Sequence, residues 1–367
     1  MKIPFLNLQI QHKAMEADLQ RIFQDVLLRD VLLGGKAIID FEVAFALYIG
    51  QKQCVSCANG TDALEIILRA LDIGEGDEVL VPANGWLSAA EVVKLLGARP
   101  VFVEVNPETY NMDPARLEAL ISDRSRAIVP IHLYGQGADM PNIMEIAAAN
   151  GLYVVEDCAQ AHGAAIHGQK VGSFGHAAAF SFYPTKNLGA LGDAGAVLSP
   201  DPELTEKCRL IASHGQRSKD QHIRLGFNSR MDTLQAAVLL HKLPLLDARN
   251  KVRRKLAALY HQMLQDLPLT LPVAQEGFEH VYHLFVIRCQ ERDALKVFLA
   301  ENGVGTAIHY PQAVASMPFL QGQQSHPSAG LSVQISKEIL SLPLYPELKE
   351  DELVYVAQKI RQFYETR

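Results

Sequence analysis

The chain has 367 residues, 49% of them hydrophobic and 20% charged, and a formal net charge of −7. That length exceeds one typical core and suits two domains, and the composition is that of a globular chain. The acidic balance leaves no basic footprint for nucleic acid, no apolar run reaches membrane-spanning length, and MKIPFLNLQIQHK lacks the apolar core of a signal peptide; a cytoplasmic protein with no membrane or nucleic-acid partner is expected.

Residues 1 to 50 read as an N-terminal arm and helices: one from Lys13 to Leu28, a break at Gly34-Gly35, and one from Ile38 to Tyr48. A regular alternation follows. Strand QCVSCA precedes helix TDALEIILRALDI, strand DEVLVPA precedes LSAAEVVKLLG, and strand RPVFVEV precedes DPARLEALIS. Strand AIVPIHL then precedes MPNIMEIAAANG, and LYVVED and Ala177 to Phe182 are two further strands. Strands alternating with helices of this length predict βαβ units and a mostly parallel sheet covered on both faces. AVLSP closes the sheet region and DPELTEKCRLIASHG is a helix.

Residues 215 to 229 are polar, charged and without period, and a loop of that length in a compact domain suggests a function. Met231 to about Leu264 reads as helix broken near Pro244, linking to a smaller α+β unit. That unit is predicted to hold strand HLFVIR, helix RDALKVFLAENG, strand GTAIHY, helix VQISKEILSL and helix EDELVYVAQKIRQFY, with Gln321 to Gly330 as its most linker-like piece. The five cysteines, Cys54, Cys57, Cys158, Cys208 and Cys289, do not have disulfide-scaffold spacing. Cys54 and Cys57 fall on a strand, where residues three apart face opposite ways, so no metal is expected there. HVYH, with His280 and His283, also reads as strand and is set aside on the same ground.

The stretch from Leu152 to Gly195 carries the chemistry. LYVVED ends in Asp157, and the next apolar run delivers Lys186 into a turn of small residues. Ligands bind beyond the C-terminal ends of strands in open α/β sheets. A lysine in a dry turn can bond an aldehyde, and a carboxylate can keep a pyridine nitrogen protonated; pyridoxal phosphate requires both. Taken singly, Asp157 reads as a loop cap and Lys186 as a solvated surface group, and only their context points to the cofactor. Asn59, Gly60 and Thr61 open a helix after a strand, which suits a phosphate or an ordinary cap. Trp86 stands at the next such junction, as a stacking ring or a core aromatic. Ser181 and Gln160 lie close in sequence to Lys186 and Asp157, with a strand contact and a loop contact as their plain alternatives.

In order and spacing, NGTDAL, the aromatic after VPAN, VVEDCAQAHGA, FSFYPTKNLGALGDAG and GFNSRMDTLQAA resemble the nucleotide-sugar aminotransferases of the DegT/StrS-like group. The resemblance runs from IPFLNL to LPLYP. It implies the aspartate-aminotransferase-like fold, type I of the pyridoxal 5'-phosphate enzymes, with a large domain over 1–245 and a small α+β domain over 246–367. It makes Lys186 the Schiff-base lysine and general acid–base, Asp157 the partner of the ring nitrogen and Gln160 the contact to the ring oxygen. It puts Trp86 on the stacking position and Gly60, Thr61 and Ser181 on the phosphate. Asn228 would reach the phosphate of the neighbouring subunit, so a homodimer with shared sites is implied. His309 and Tyr310 match a part near the substrate.

The implied reaction moves an amino group from L-glutamate to a nucleotide-linked keto sugar, by ping-pong kinetics. The VPAN-x-aromatic junction resembles relatives acting on 3-keto sugars more than those acting on 4-keto sugars, although those relatives often carry threonine or serine where this chain has Gly85. The dehydratase branch of the family commonly replaces the lysine by histidine, and Lys186 argues against it. A non-catalytic regulatory or scaffold protein of this fold is the rival from another class. ANGTDAL lacks the G-x-G-x-x-G spacing of a dinucleotide binder.

Overall fold

The computed structural model describes residues 1–28, 31–320 and 330–366. Its centre is a seven-stranded sheet: β1 (Gln53–Cys57), β2 (Glu78–Pro82), β3 (Arg99–Val103), β4 (Ser125–Ile128), β5 (Tyr153–Asp157), β6 (Ala177–Ser181) and β7 (Gly195–Ser199). Their spatial order is β1-β7-β6-β5-β4-β2-β3, with every neighbouring pair parallel except the two that β7 makes. The parallel pairs need crossovers, which the helices supply.

Alternation along each strand builds two cores. Val55, Val81, Val155 and Ala179 face one way, under α4 (Gly60–Ala70), α5 (Ser88–Leu95) and α7 (Pro202–Ala212). Cys54, Leu80, Val154 and Ala178 face the other, against α3 (Lys36–Ile49), α6 (Met140–Ala149) and α8 (Thr233–Lys242). Cys54 and Cys57 thus lie in different cores, and all five cysteines are free and buried. A third core joins Ile3 of the N-terminal arm to α9 (Leu246–Leu264), α10 (Arg292–Glu301), α12 (Glu350–Glu365) and the antiparallel pair β8 (Phe285–Arg288) and β9 (Ile339–Leu342). Among the described residues no helix is long and apolar enough to cross a membrane.

Several elements depart from the expected ones. The first helical stretch is two helices, α1 (Leu8–Ala14) and α2 (Glu16–Leu28), meeting at Met15. DPARLEALIS forms two short 3-10 turns, Pro114–Arg116 and Glu118–Leu120, because only Leu117 is buried and no full helical face exists to pack. The strand in AIVPIHL stops at Ile128, before Pro130, which has no N–H to give. The loop at 215 to 229 contains a small hairpin, Gln216–Ser218 with Gln221–His222, whose exposed polar residues hide any alternation.

GTAIHY is not a strand: Ala307 alone bridges to Ser341, after which the chain turns toward the sheet edge. VQISKEILSL divides into α11 (Gly330–Glu338) and β9, whose fully buried ILSL pairs with β8. HVYH is not a strand either, since Tyr282 sits at φ 44 and donates its N–H to His280 Nδ1. The linker expected at Gln321 to Gly330 lies outside the described residues except for Gly330.

Candidate active site

Asp157 ends β5 and pairs in register with Ala179 of β6, two residues before Ser181. Both strands run the same way, so period-2 alternation puts Asp157 and Ser181 on one face, the face covered by α4. Glu156 points to the opposite face. It is fully buried and accepts the N–H groups of Gly172, Phe174 and Gly175 at 2.7–2.8 Å, and His132 Nε2 at 3.0 Å. His132 Nδ1 accepts the Ala138 N–H, so Nε2 carries the hydrogen. Together they pin the end of β5 and hence Asp157. Glu156 and His132 with Cys158 have metal-ligand spacing, but the donors just named already satisfy the carboxylate.

The strand-to-helix crossing fits because of two glycines. A Cβ on Gly195 would lie 2.3 Å from the Asn59 carbonyl oxygen, and one on Gly60 would lie 2.6 Å from Ser181 Cβ. With only hydrogens there, the turn after β1 passes over β7 and lays the start of α4 against Ser181. Asn59 caps α4 by accepting the Asp62 N–H at 2.9 Å, while Thr61 Oγ1 lies 2.7 Å from Ser88 Oγ. The first N–H groups of α4 have no intrahelical partner and make this end an anion site.

Lys186 follows in the turn after β6, its N–H donated to the Tyr183 carbonyl at 2.8 Å. Its amine has no hydrogen-bond or ion-pair partner among the described residues. Burial lowers its pKa to about 8, with Asp157 pulling the other way. Asp157 is buried, and its carboxylate accepts one hydrogen bond among the described residues, from the Ala159 N–H at 3.0 Å. Desolvation raises its pKa, against that hydrogen bond and the charge of Lys186. His162, His283 and His309 also feel Lys186; burial above all holds His309 down to about 4 and His162 to about 3. Neutral imidazoles and one carboxylate therefore surround the amine.

Gln160 is buried and bridges two elements: Oε1 accepts the Tyr134 N–H at 2.8 Å and Nε2 donates to the Tyr310 hydroxyl at 2.9 Å. The Tyr134 hydroxyl donates to the His309 carbonyl, and His309 Nδ1 lies 2.8 Å from Ser341 Oγ. Trp86 is 52% exposed, with its ring 5.4 Å from that of Tyr310. An exposed tryptophan at a strand end leaves a face open for a planar ligand. Asn228 is the residue not drawn into this group: it is exposed, and its Oδ1 accepts from Arg230 Nε at 3.1 Å. Its neighbour Ser229 reaches the same sheet edge, accepting the Ala58 N–H at 3.1 Å.

The sequence reading passed over Tyr134, His132 and Glu156 as supports of this edge. Two adjacent acids at a strand end were visible, but only the register tells which one faces the helices and which the loop. An unpartnered amine, a buried carboxylate and a helix N-terminus beside a serine suit an anionic ligand that carries an aldehyde and a basic ring nitrogen.

A family model described as the DegT/DnrJ/EryC1/StrS aminotransferase family matches residues 13–361. The chain is 47% identical over 329 residues to a UDP-N-acetyl-3-dehydro-alpha-D-glucosamine 3-aminotransferase of Acidithiobacillus ferrooxidans, covering 89% of this chain and 88% of that one. It is 42% identical over 374 residues to a pleiotropic regulatory protein of Geobacillus stearothermophilus, covering 99% of both. Among solved structures, NtdA of Bacillus subtilis with its bound cofactor PMP superposes with a TM-score of 0.92 at 32% identity, covering 98% of this chain and 85% of that one.

Proposed function

The chain belongs to the DegT/DnrJ/EryC1/StrS aminotransferase family, and from that premise we propose that it moves an amino group from L-glutamate to a nucleotide-linked 3-keto sugar. It is a pyridoxal-phosphate-dependent sugar aminotransferase of the aspartate-aminotransferase-like fold. The observation that carries the reading is the unpartnered Lys186 amine, with its pKa held near 8, electrostatically coupled to buried Asp157.

The residues present fit the cofactor. Lys186 would hold it through its amine, Asp157 would face the ring nitrogen, and the start of α4 (Gly60, Thr61) with Ser181 would take the phosphate. Trp86 would cover the ring, and Gln160 would face the ring oxygen with the amide hydrogen that Tyr310 leaves. When bound, pyridoxal phosphate supplies an electron sink for the pair released as a Cα–H bond breaks. Lys186 Nζ takes the proton from the donor's Cα, holds it, and delivers it within the same site. With a keto sugar in place of the keto acid, Lys186 runs the same transfer in reverse. Tyr310, Trp86 and His309 would face the sugar.

The large unit, 1–245, supplies the cofactor contacts, and the smaller unit, 246–367, brings His309 and Tyr310 to them. The 3-keto preference rests on the VPAN-x-aromatic junction and on the activity named for the Acidithiobacillus relative. A 4-keto sugar is the alternative substrate. A regulatory role, which the Geobacillus relative's name suggests, would not require Lys186, Asp157, Gln160 and Ser181 to be gathered at one edge.

The test is the visible absorbance of the cofactor-loaded protein before and after L-glutamate, then a panel of 3-keto and 4-keto nucleotide sugars. Loss of the visible band with a rise in the near ultraviolet supports the donor, and amination of a 3-keto member supports the acceptor. A colourless protein that stays colourless with pyridoxal phosphate refutes the reading. The exposed Asn228 fits a site completed by a second copy. Asn228→Ala is expected to weaken cofactor retention roughly tenfold, the loss of about one charge-assisted hydrogen bond. At a cofactor concentration too low to load Asn228→Ala, neither it nor Lys186→Ala should turn over alone, and the two chains, mixed and allowed to exchange, should regain activity. No recovery despite proven exchange counts against a shared site.

A further inference from the structure

Asn187 follows Lys186 in the chain, and its buried side-chain amide is fully used. Nδ2 donates to Asn250 Oδ1 at 2.9 Å and to the Val281 carbonyl at 3.1 Å, while Oδ1 lies 3.1 Å from His283 Nδ1. Both amide hydrogens are spent, so the Asn187 oxygen must accept and His283 must donate through Nδ1–H. Burial first, then the charge of Lys186, pushes the His283 pKa well down, so its ring is neutral and Nε2 bears a lone pair. Asn250, buried on α9, donates Nδ2 to the His162 carbonyl at 2.8 Å. His162 belongs to the loop that starts at Asp157.

One hydrogen-bonded chain therefore joins the loop of Asp157, the turn of Lys186, helix α9 and the 281–283 segment. We infer that Asn187, Asn250 and His283 are positioning residues that fix the Lys186 amine relative to Asp157. The inference rests on the proposed roles of those two residues. It also gives His283 a place that the HVYH spacing does not suggest. His280 takes no part, since its Nδ1 accepts the Tyr282 N–H at 2.8 Å and its ring stacks on Tyr282 at 3.9 Å. The network matters because a reacting group displaced by about 1 Å loses roughly 100-fold in rate.

The experiment uses the cofactor-loaded enzyme. Nitrogen-15 NMR of histidine-labelled protein, with the His283 signals identified by their loss in His283→Asn, is expected to show the neutral Nδ1–H form. His283→Phe is expected to slow the single-turnover half-reaction with L-glutamate about 100-fold. Cofactor content and the glutamate KM should stay within about twofold, because the loss falls on the transition state. His283→Asn, whose Nδ2 takes the place of Nδ1–H, should recover to within about tenfold of the wild type.

A His283 ring that carries its hydrogen on Nε2 overturns the proposal. So does an Asn variant no faster than the Phe variant, or a Phe variant as fast as the wild type. If the wild type itself does not react with L-glutamate, the donor reading fails, and the tautomer alone then decides the network.

Discussion

Lys186→Ala is expected to abolish transamination while leaving a folded protein. The amine has two duties under the proposed function, holding the cofactor and moving the Cα proton, and alanine can do neither. General acid–base transfer alone is worth up to about 10⁴-fold, so the loss should be on the order of 10⁴ or more. The fold should not suffer, because no described residue depends on that amine for a hydrogen bond or ion pair.

The sign of the pH effect points the same way. Burial lowers the Lys186 pKa from 10.5 to about 8, so the folded state disfavours the charged amine. The stability that the wild-type lysine contributes is full above its unfolded pKa and is lost as pH falls through 8. Without cofactor, Lys186→Ala should thus unfold at or above the wild-type temperature near pH 7. The same shift speeds cofactor loading: at pH 8 about half of such amines are unprotonated, against about 0.4% of ordinary lysines. Loading rate in the wild type should rise with pH and level off above about 8. A variant with near-normal turnover, or a wild-type loading rate still climbing tenfold per pH unit at pH 9, would remove Lys186 from its role.

The fold was legible wherever burial is periodic. The strands of the main sheet are short and mostly apolar, and their helices carry one apolar stripe, so both patterns stand out in a single chain. Legibility failed where a tertiary contact decides the backbone. GTAIHY has strand composition, yet Tyr134 takes the His309 carbonyl and turns the segment into the site. ILSL continues a helical pattern, yet pairing with β8 makes it a strand. The site divides in the same way. Asp157, Ser181 and Lys186 are local to one stretch and could be named from it. The Gln160–Tyr310 contact spans 150 residues and the Asn187–His283 contact spans 96, and neither leaves a local signature.

Asp157→Asn is expected to keep the cofactor and lose most of the catalysis. The swap preserves shape: asparagine Oδ1 can still accept the Ala159 N–H that Asp157 holds at 3.0 Å. What changes is charge and hydrogen-bond sense at the atom proposed to face the ring nitrogen. A carboxylate favours a protonated ring nitrogen, whereas a neutral amide does not and can present a donor in its place. Removing one such charge-stabilising contact from a dry site costs about 10²–10³ in rate. The deficit should appear in the half-reaction with L-glutamate, with cofactor retained.

Stability separates this loss from misfolding. Desolvation raises the Asp157 pKa above 3.8, so the carboxyl favours the folded state at low pH and opposes it once ionised above the raised value. The amide removes that cost. Cofactor-free Asp157→Asn should therefore melt no lower than the wild type at pH 7, and the advantage should vanish as pH falls through the raised pKa. Unchanged turnover would end the assignment of Asp157 to the ring nitrogen. A large fall in melting temperature at pH 7 would show instead that the carboxylate is structural, a role its single hydrogen bond does not support.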